Sequence, residues 1–318
     1  MFSASPDGSP TSVLTVTLNP SIDVSTSVER LVPDQKLRAP GWSREAGGGG
    51  VNVARVLHRL GVPPTSFVVV GGATGTELAA LMRAEGLDVT EFAGRSATRE
   101  SFAVTEISTD SQFRISVPGP TLDEVDELVH CVIDVGARCG VVVLSGSVPP
   151  GAPSDILVRI ITGLDPGTTT IVDTTGPALS AVTSNRATLI KPSQRELATL
   201  VGWQPRTSDE IERAALEVLE QGDVQAVVAS CGPSGALLGV RDREPTWFRP
   251  PPVRPVSTIG AGDSMVAGIA ASLARGSDIR RAVRAGVAAG TAAVLTAGTQ
   301  LCDPGDVARF VDQVSIHE

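Results

Sequence analysis

Thr258-Ile259-Gly260-Ala261-Gly262-Asp263-Ser264 puts a carboxylate and a bed of small residues within one turn of each other. Small residues at 260–262 let backbone N–H groups face an incoming anion, and the apolar run over 265–273 predicts a helix whose N-terminus completes an anion site. Asp263 then stands where a nucleophile and a phosphoryl group would meet. Glycines ahead of a helix, with an Asp in its first turn, also serve purely structural ends, so the pattern needs support from elsewhere.

Support comes from Gly47-Gly48-Gly49-Gly50-Val51-Asn52-Val53-Ala54-Arg55. Four successive glycines cost conformational entropy, and a chain keeps them where the backbone takes positive φ or approaches a ligand closely. A flexible linker is the competing reading. It is disfavoured because Val51, Ala54, Val56, Leu57 and Leu60 continue at helical spacing up to a stop at Gly61.

Apolar β-branched runs over 13–18, 67–70, 141–144, 169–173, 188–190 and 224–230 alternate with helical patterns such as 77–85, 123–135, 153–161 and 208–221. Buried strands separated by helices predict an α/β fold with a largely parallel sheet covered on both faces, its site at the strands' C-terminal ends. Two stretches break the rhythm. Residues 21–44 and 99–117 carry short half-polar alternations, which predict antiparallel strands of a small sheet beside the site, a lid whose exposed face suits a dimer contact. Residues 1–12 are Ser-, Pro-, Asp- and Gly-rich and are expected to be disordered, leaving one domain over 13–318.

The 318 residues carry a net charge of −9, no tyrosine and 42% hydrophobic content. That balance speaks against non-specific binding to nucleic acid or anionic membrane, and no apolar run approaches the ~20 residues that span a bilayer. A cytoplasmic enzyme with a small-molecule partner is expected. Of 26 basic residues only Lys36 and Lys191 are lysines, each placed where a point charge could meet phosphate oxygens. Cys131, Cys139, Cys231 and Cys302 form no C-x-x-C pair and read as reduced thiols, while His58 and His130 read as helix-surface residues.

Taken together, Thr17-Leu18-Asn19-Pro20-Ser21-Ile22-Asp23, the glycine run ending in Asn52, Ser145-Gly146-Ser147-Val148-Pro149-Pro150-Gly151, Lys191-Pro192-Ser193-Gln194-Arg195-Glu196 and the Gly-Ala-Gly-Asp turn resemble the PfkB (ribokinase-like) sugar kinases. The resemblance covers nearly the whole chain after residue 12 and is strongest to the branch that acts on fructose 6-phosphate, including Gly298-Thr299-Gln300-Leu301-Cys302. It implies a three-layer α/β/α sandwich with a small β-sheet lid, MgATP as donor and a phosphorylated ketose as acceptor.

By that resemblance Asp263 is the general base, with the amides of Gly260, Ala261 and Gly262 neutralising charge on the transferred phosphoryl and an ordinary carboxylate pKa sufficing. Asp23, Gly48, Gly49, Gly50 and Asn52 would line the sugar, and Arg99, Ser147 and Lys36 would take its phosphate. Lys191, Ser193, Arg195, Ser230, Gly232, Pro233, Gly235, Val287 and Thr291 would hold ATP. Glu196 would hold Mg²⁺ through water, and Ser257, Ile259, Ala293, Thr296, Gly298 and Gln300 would surround a monovalent cation such as K⁺. The family implies a homodimer through the lid.

Two departures stand out. Ser193 replaces the family's usual Asn three residues before Glu196, and Gly49 stands where relatives acting on tagatose 6-phosphate or fructose 1-phosphate often carry Lys. Those two sugars remain alternative acceptors, and a sugar-phosphate sensor without turnover is the alternative of a different class. A nicotinamide dehydrogenase is disfavoured, because the glycine run lacks G-x-G-x-x-G spacing after the first strand.

Overall fold

Strand β1 (Val13–Thr17) starts the main sheet, and the chain at once leaves it for two strands of a second sheet, β2 (Ser21–Val28) and β3 (Trp42–Gly47). It returns through α1 (Gly49–Arg59), β4 (Thr65–Val70), α2 (Gly72–Ala84) and β5 (Asp88–Ala93), then revisits the second sheet with β6 (Arg99–Glu106) and β7 (Ser111–Ser116). Helices and strands then alternate through α3 (Val125–Gly136), β8 (Val141–Ser145), α4 (Ile156–Gly163), β9 (Thr169–Asp173), α5 (Pro177–Thr183), β10 (Leu189–Ile190), α6 (Gln194–Val201), α7 (Ser208–Gln221) and β11 (Ala226–Ser230). A meander of β12 (Ala236–Val240) and β13 (Thr246–Arg249) precedes α8 (Ala261–Ala274), α9 (Ile279–Ala293), α10 (Pro304–Val311) and β14 (Ser315–His317). This computed structural model describes residues 11–296 and 300–317, so most of the expected disordered segment 1–12 and the predicted cation ligand Gly298 lie outside the described residues.

The main sheet runs β14-β13-β12-β11-β10-β9-β8-β1-β4-β5, with its seven strands from β11 to β5 parallel and the other three antiparallel. Successive residues of each buried strand serve opposite layers. Val141 and Val143 pack with α1, α8 and α9, whereas Val142 and Leu144 pack with α3 and α4. Both faces are covered, which is why these strands read as unbroken apolar runs. Each fully buried side chain such as Leu144 or Ile269 contributes roughly 1.5–3 kcal/mol. The sequence pattern did not predict β5, β13 or β14, which are short, partly exposed or at the sheet edge, nor β12, which is buried inside the sheet but carries a glycine at position 239.

The second sheet has the order β3-β2-β6-β7. Its outer pairs are antiparallel as predicted, but its central pair is not: β2 and β6 run parallel from Ser21 opposite Arg99 to Val28 opposite Glu106. The reason is topological. Each follows a parallel strand of the main sheet, β1 and β5, and therefore leaves the body in the same direction. One face of this lid carries Asp23, Arg99 and Ser101. The other buries Ile22 and Val24 against Leu78 and Met82 of α2, and farther out exposes Trp42 (72%), Phe113 and Ile115 (59%). The predicted lid span 21–44 falls three residues short of the end of β3 at Gly47.

His58 and His130 are exposed on α1 and α3, and the four cysteines are free thiols. No helix among the described residues is long and apolar enough to cross a membrane.

Candidate active site

The C-terminal ends of β8 and β9, the N-termini of α1, α6 and α8, and the polar face of the lid line a cavity of about 560 Å³. Most of the residues singled out from sequence for the sugar, together with Glu196 and Asp263, line it.

Asp263 is the third residue of α8. Gly260, just before the helix, has φ +71°, a conformation open to glycine and costly for other residues, and its missing side chain also leaves room for Leu301. The Gly260 carbonyl accepts the Ser264 N–H at 2.8 Å, and among the described residues no side chain caps this helix. The first amides of α8 stand at the positive end of the helix dipole, the Ala261 N–H donating to the Thr258 carbonyl at 3.5 Å, and Asp263 is the residue of this turn that lines the cavity. One Asp263 oxygen accepts the Asn52 Nδ2 proton at 2.8 Å, which joins α8 to the first turns of α1. Burial, followed by the charge of Asp173, pushes the Asp263 carboxyl up to about 6, against the opposing pull of Asn52 and Lys191. An ordinary carboxylate would suffice for a base, and the burial of Asp263 moves it above that range all the same.

Lys191 is buried, and its Nζ lies 3.1 Å from Asp173 Oδ1. Burial works against the ammonium, but Asp173, Glu196 and Asp263 outweigh it and hold Lys191 above its usual range, so it remains a cation. Burial raises Asp173 despite that partner. Lys191 is thus not a free cation awaiting a phosphate, although its Nζ still lies 3.7 Å from where a side chain on Gly262 would begin. Asp173 escaped the sequence reading. Its signal was a lone carboxylate ending an apolar strand.

Across the cavity, Ser21 Oγ donates to Asp23 at 2.7 Å, and Gly47 packs directly against that carboxylate. Burial raises the Asp23 carboxyl while Ser21, Arg114 and Arg99 oppose it. The Arg99 guanidinium is braced at the lid base, donating to Ser116 Oγ at 2.9 Å and to the Asn19 carbonyl at 3.2 Å, while its buried Nε has no partner among the described residues. Burial lowers its pKa and Asp23 opposes that. Arg114 on β7 lines the same wall and was not singled out from sequence, although its alternation with Phe113 and Ile115 marked it as facing the other way.

In the glycine run, Gly48 has φ +116° and precedes α1. A side chain on Gly49 would begin 2.6 Å from Ser145 Oγ and 2.8 Å from the Gly146 amide nitrogen, so this close approach requires glycine unless the end of β8 moves. Gly50 is pressed against β1 at Thr17 and Val16. Ser147 accepts the Asn19 Nδ2 proton at 2.9 Å.

On the nucleotide side, Ser193 caps α6. Its hydroxyl and amide both donate to Glu196 Oε2, at 2.7 and 2.8 Å, and its oxygen accepts the Glu196 N–H. The serine that departs from the family pattern therefore holds Glu196 at the cavity wall. Ser230 bridges alongside Ser193, and Gly232 and Pro233 are exposed beyond it, with Gly235 tucked under Phe248. Arg195 is exposed, whereas Val287 and Thr291 are buried on α9, the Thr291 hydroxyl donating to the Val287 carbonyl. Lys36 is exposed between β2 and β3 and is not among the residues lining the cavity.

The predicted cation ligands gather only in part. Val256 and Ser257 donate to Val294, beside Ala293; the Ala293 carbonyl accepts the Thr296 hydroxyl, the Gln300 carbonyl accepts Arg59 Nη1, and Ser257 Oγ accepts the Ile259 amide. The Ser257 hydroxyl and the Gln300 carbonyl each keep a lone pair beyond that hydrogen bond, although the Gln300 carbonyl already faces the Arg59 cation. For Mg²⁺, no cluster of three acidic, His or Cys ligands occurs among the described residues, and Glu196 is the carboxylate on the nucleotide side of the cavity. That sparse donor set fits an ion that keeps its waters and relies on phosphate oxygens.

Residues 13–305 match the family described as pfkB family carbohydrate kinase. The ATP-dependent 6-phosphofructokinase isozyme 2 of Escherichia coli (strain K12) is 38% identical over 307 residues, 95% of this chain and 99% of the relative. A crystal structure of the Escherichia coli phosphofructokinase-2 with fructose-6-phosphate has a TM-score of 0.88 and 35% identity over 96% of this chain and 99% of that one. The same enzyme with potassium has a TM-score of 0.89 and 36% identity, covering 95% and 99%. The 1-phosphofructokinase of Bacillus subtilis (strain 168) is less similar, at 31% identity over 88% of this chain and 91% of the relative.

Proposed function

The chain belongs to the pfkB family of carbohydrate kinases and is a phosphotransferase; on that premise we propose that it moves the terminal phosphoryl group of ATP to O1 of fructose 6-phosphate. The observation that carries the reading is one cavity with Asp263 at an uncapped helix N-terminus on one side and Asp23, Arg99 and Arg114 on the other. A base, an anion cradle and a basic wall then face one acceptor. The higher identity to a 6-phosphofructokinase than to a 1-phosphofructokinase supports the choice of sugar.

Asp263 takes the proton of the O1 hydroxyl, O1 bonds to the terminal phosphorus, and the bond from that phosphorus to the bridging oxygen breaks, releasing ADP with its electron pair. The amides of Gly260, Ala261 and Gly262 stabilise the charge on the phosphoryl oxygens during transfer. Asp23 and Asn52 orient the sugar hydroxyls, Gly48, Gly49 and Gly50 let the sugar approach the backbone, and Arg99, Arg114 and Ser147 bind the acceptor's phosphate. Lys191, paired to Asp173, keeps positive charge beside the transfer site, and Ser193, Arg195, Ser230, Gly232, Pro233 and Gly235 receive the nucleotide, with Val287 and Thr291 behind the base. Mg²⁺, held through water by Glu196, would neutralise phosphate charge. K⁺ would sit among Ser257, Ile259, Ala293, Thr296, Gly298 and Gln300.

The exposed Trp42, Phe113 and Ile115 support a homodimer joined through the lid. The kinase domain spans 13–318, and the enzyme works in the cytoplasm with ATP and a ketose phosphate. A panel of fructose 6-phosphate, tagatose 6-phosphate and fructose 1-phosphate with ADP detection tests the reading. Fructose 6-phosphate is expected to give the highest kcat/KM. Finding it the poorest acceptor overturns the choice of sugar, and ligand protection without ADP release would mark a sensor instead.

A further inference from the structure

Arg44, on β3, lies outside the site described above, yet it ties the lid to the body. Its Nε and Nη2 donate to the two oxygens of Glu77 on α2 at 2.6 and 2.7 Å, and Nη2 also reaches Glu100 on β6 at 2.7 Å. All three are half-buried, at 23, 36 and 33% side-chain exposure, and the guanidinium also rests 5.7 Å from the Trp42 ring. One planar fork thus bridges two carboxylates on two different bodies, the lid and the main domain, a geometry that an ammonium cannot reproduce in full.

The strand register explains why this matters for the sugar. Arg44 pairs with Val24 and Glu100 pairs with Ile22, so both lie on the lid face turned toward α2. Arg99 precedes Glu100 by one residue and therefore faces the cavity. Fixing Glu100 fixes the backbone that aims Arg99. Without Arg44, Glu77 and Glu100 would face each other with like charge and push β6 away from α2.

We propose that Arg44 is a positioning residue for capture of the phosphorylated acceptor: by clamping Glu100 of the lid to Glu77 of α2 it sets the placement of Arg99 at the cavity. The proposal rests on the phosphosugar reading of that cavity.

The test compares wild type, Arg44→Ala, Arg44→Lys, Glu77→Gln, Arg99→Ala and the Arg44→Ala/Arg99→Ala double variant. Arg44→Ala is expected to raise the KM for the sugar phosphate roughly tenfold, leaving the KM for ATP and kcat within twofold. Arg44→Lys recovers part of the loss, Glu77→Gln repeats it in milder form, and in the Arg99→Ala background removing Arg44 adds less than twofold. Hydrogen exchange of the ligand-free protein is expected to rise across residues 99–106 in Arg44→Ala. An unchanged sugar KM, an equal rise in both KM values or a fully additive double variant overturns the proposal. If a different phosphosugar is the one turned over, the functional reading fails and Arg44 is scored with that sugar; if none is, the exchange measurement decides alone.

Discussion

Replacing Asp263 with Asn should abolish turnover and make the protein more stable. Burial and Asp173 raise this carboxyl from 3.8 to about 6, a shift of about two units at 1.36 kcal/mol each, or about 3 kcal/mol of cost to the ionised native state. The side chain is partly open to cavity water, which brings the expected figure to about 1–3 kcal/mol. The sign follows from proton linkage: the native carboxyl binds its proton more tightly than the unfolded one, so this contribution is fully present below about pH 4 and is lost as pH rises through about 6. An amide carries no such loss, and its oxygen can still accept from Asn52. Urea unfolding should therefore show Asp263→Asn ahead of wild type at pH 8, by roughly 2–5 °C in a parallel thermal scan. About half of the full effect should develop between pH 5 and pH 8. Turnover should fall at least a hundredfold. A variant no more stable than wild type at pH 8, or ahead by the same margin at pH 5, would refute the electrostatic account; a rate within tenfold of wild type would remove Asp263 as the base.

Wild-type kcat should decline below pH 6 with one acidic limb, because the base must be ionised, and Asp173→Asn should move that limb to lower pH by removing the negative neighbour; a limb that stays in place contradicts the coupling. Arg99→Ala should raise the sugar-phosphate KM about 10- to 100-fold, the worth of a charge-assisted contact, with little change in the KM for ATP; comparable rises in both would show that Arg99 serves the lid as a whole. Gly49→Ala, whose new methyl meets Ser145 and the Gly146 amide, should cost roughly 1–3 kcal/mol in urea unfolding, and a neutral result would mean that the end of β8 yields freely.

Much of this architecture is readable from local pattern. The strand at 169–173 announces itself by an apolar run whose three central residues are buried, and α7 begins and ends where its periodicity says, with Thr207 and Glu210 forming the capping box at its start. The Gly260–Asp263 turn is legible because glycine, carboxylate and helix start are contiguous. What escaped depends on partners distant in sequence. Nothing near Asp173 announces Lys191, since their pairing arises only because β9 and β10 lie side by side. The raised pKa of Asp263 comes first from its burial and then from Asp173, with a smaller push from Asp23, and all of these arise from elements that meet only in the folded chain. Arg114 sits in a half-polar strand whose alternation does not say which face meets a cavity. The parallel centre of the lid was missed because alternation gives the face of a strand and not its direction.

That parallel centre also governs the order in which the molecule can assemble. Ser21 and Arg99 meet although they stand 78 positions apart in the chain, a separation that holds β3, α1, β4, α2 and β5. The loop that joins them closes cheaply only after those elements have docked on the body and brought both strand roots to one place. The lid is therefore a late product of folding, unable to form from its own residues alone, and the acceptor's binding wall comes into existence only once the core beneath it is complete.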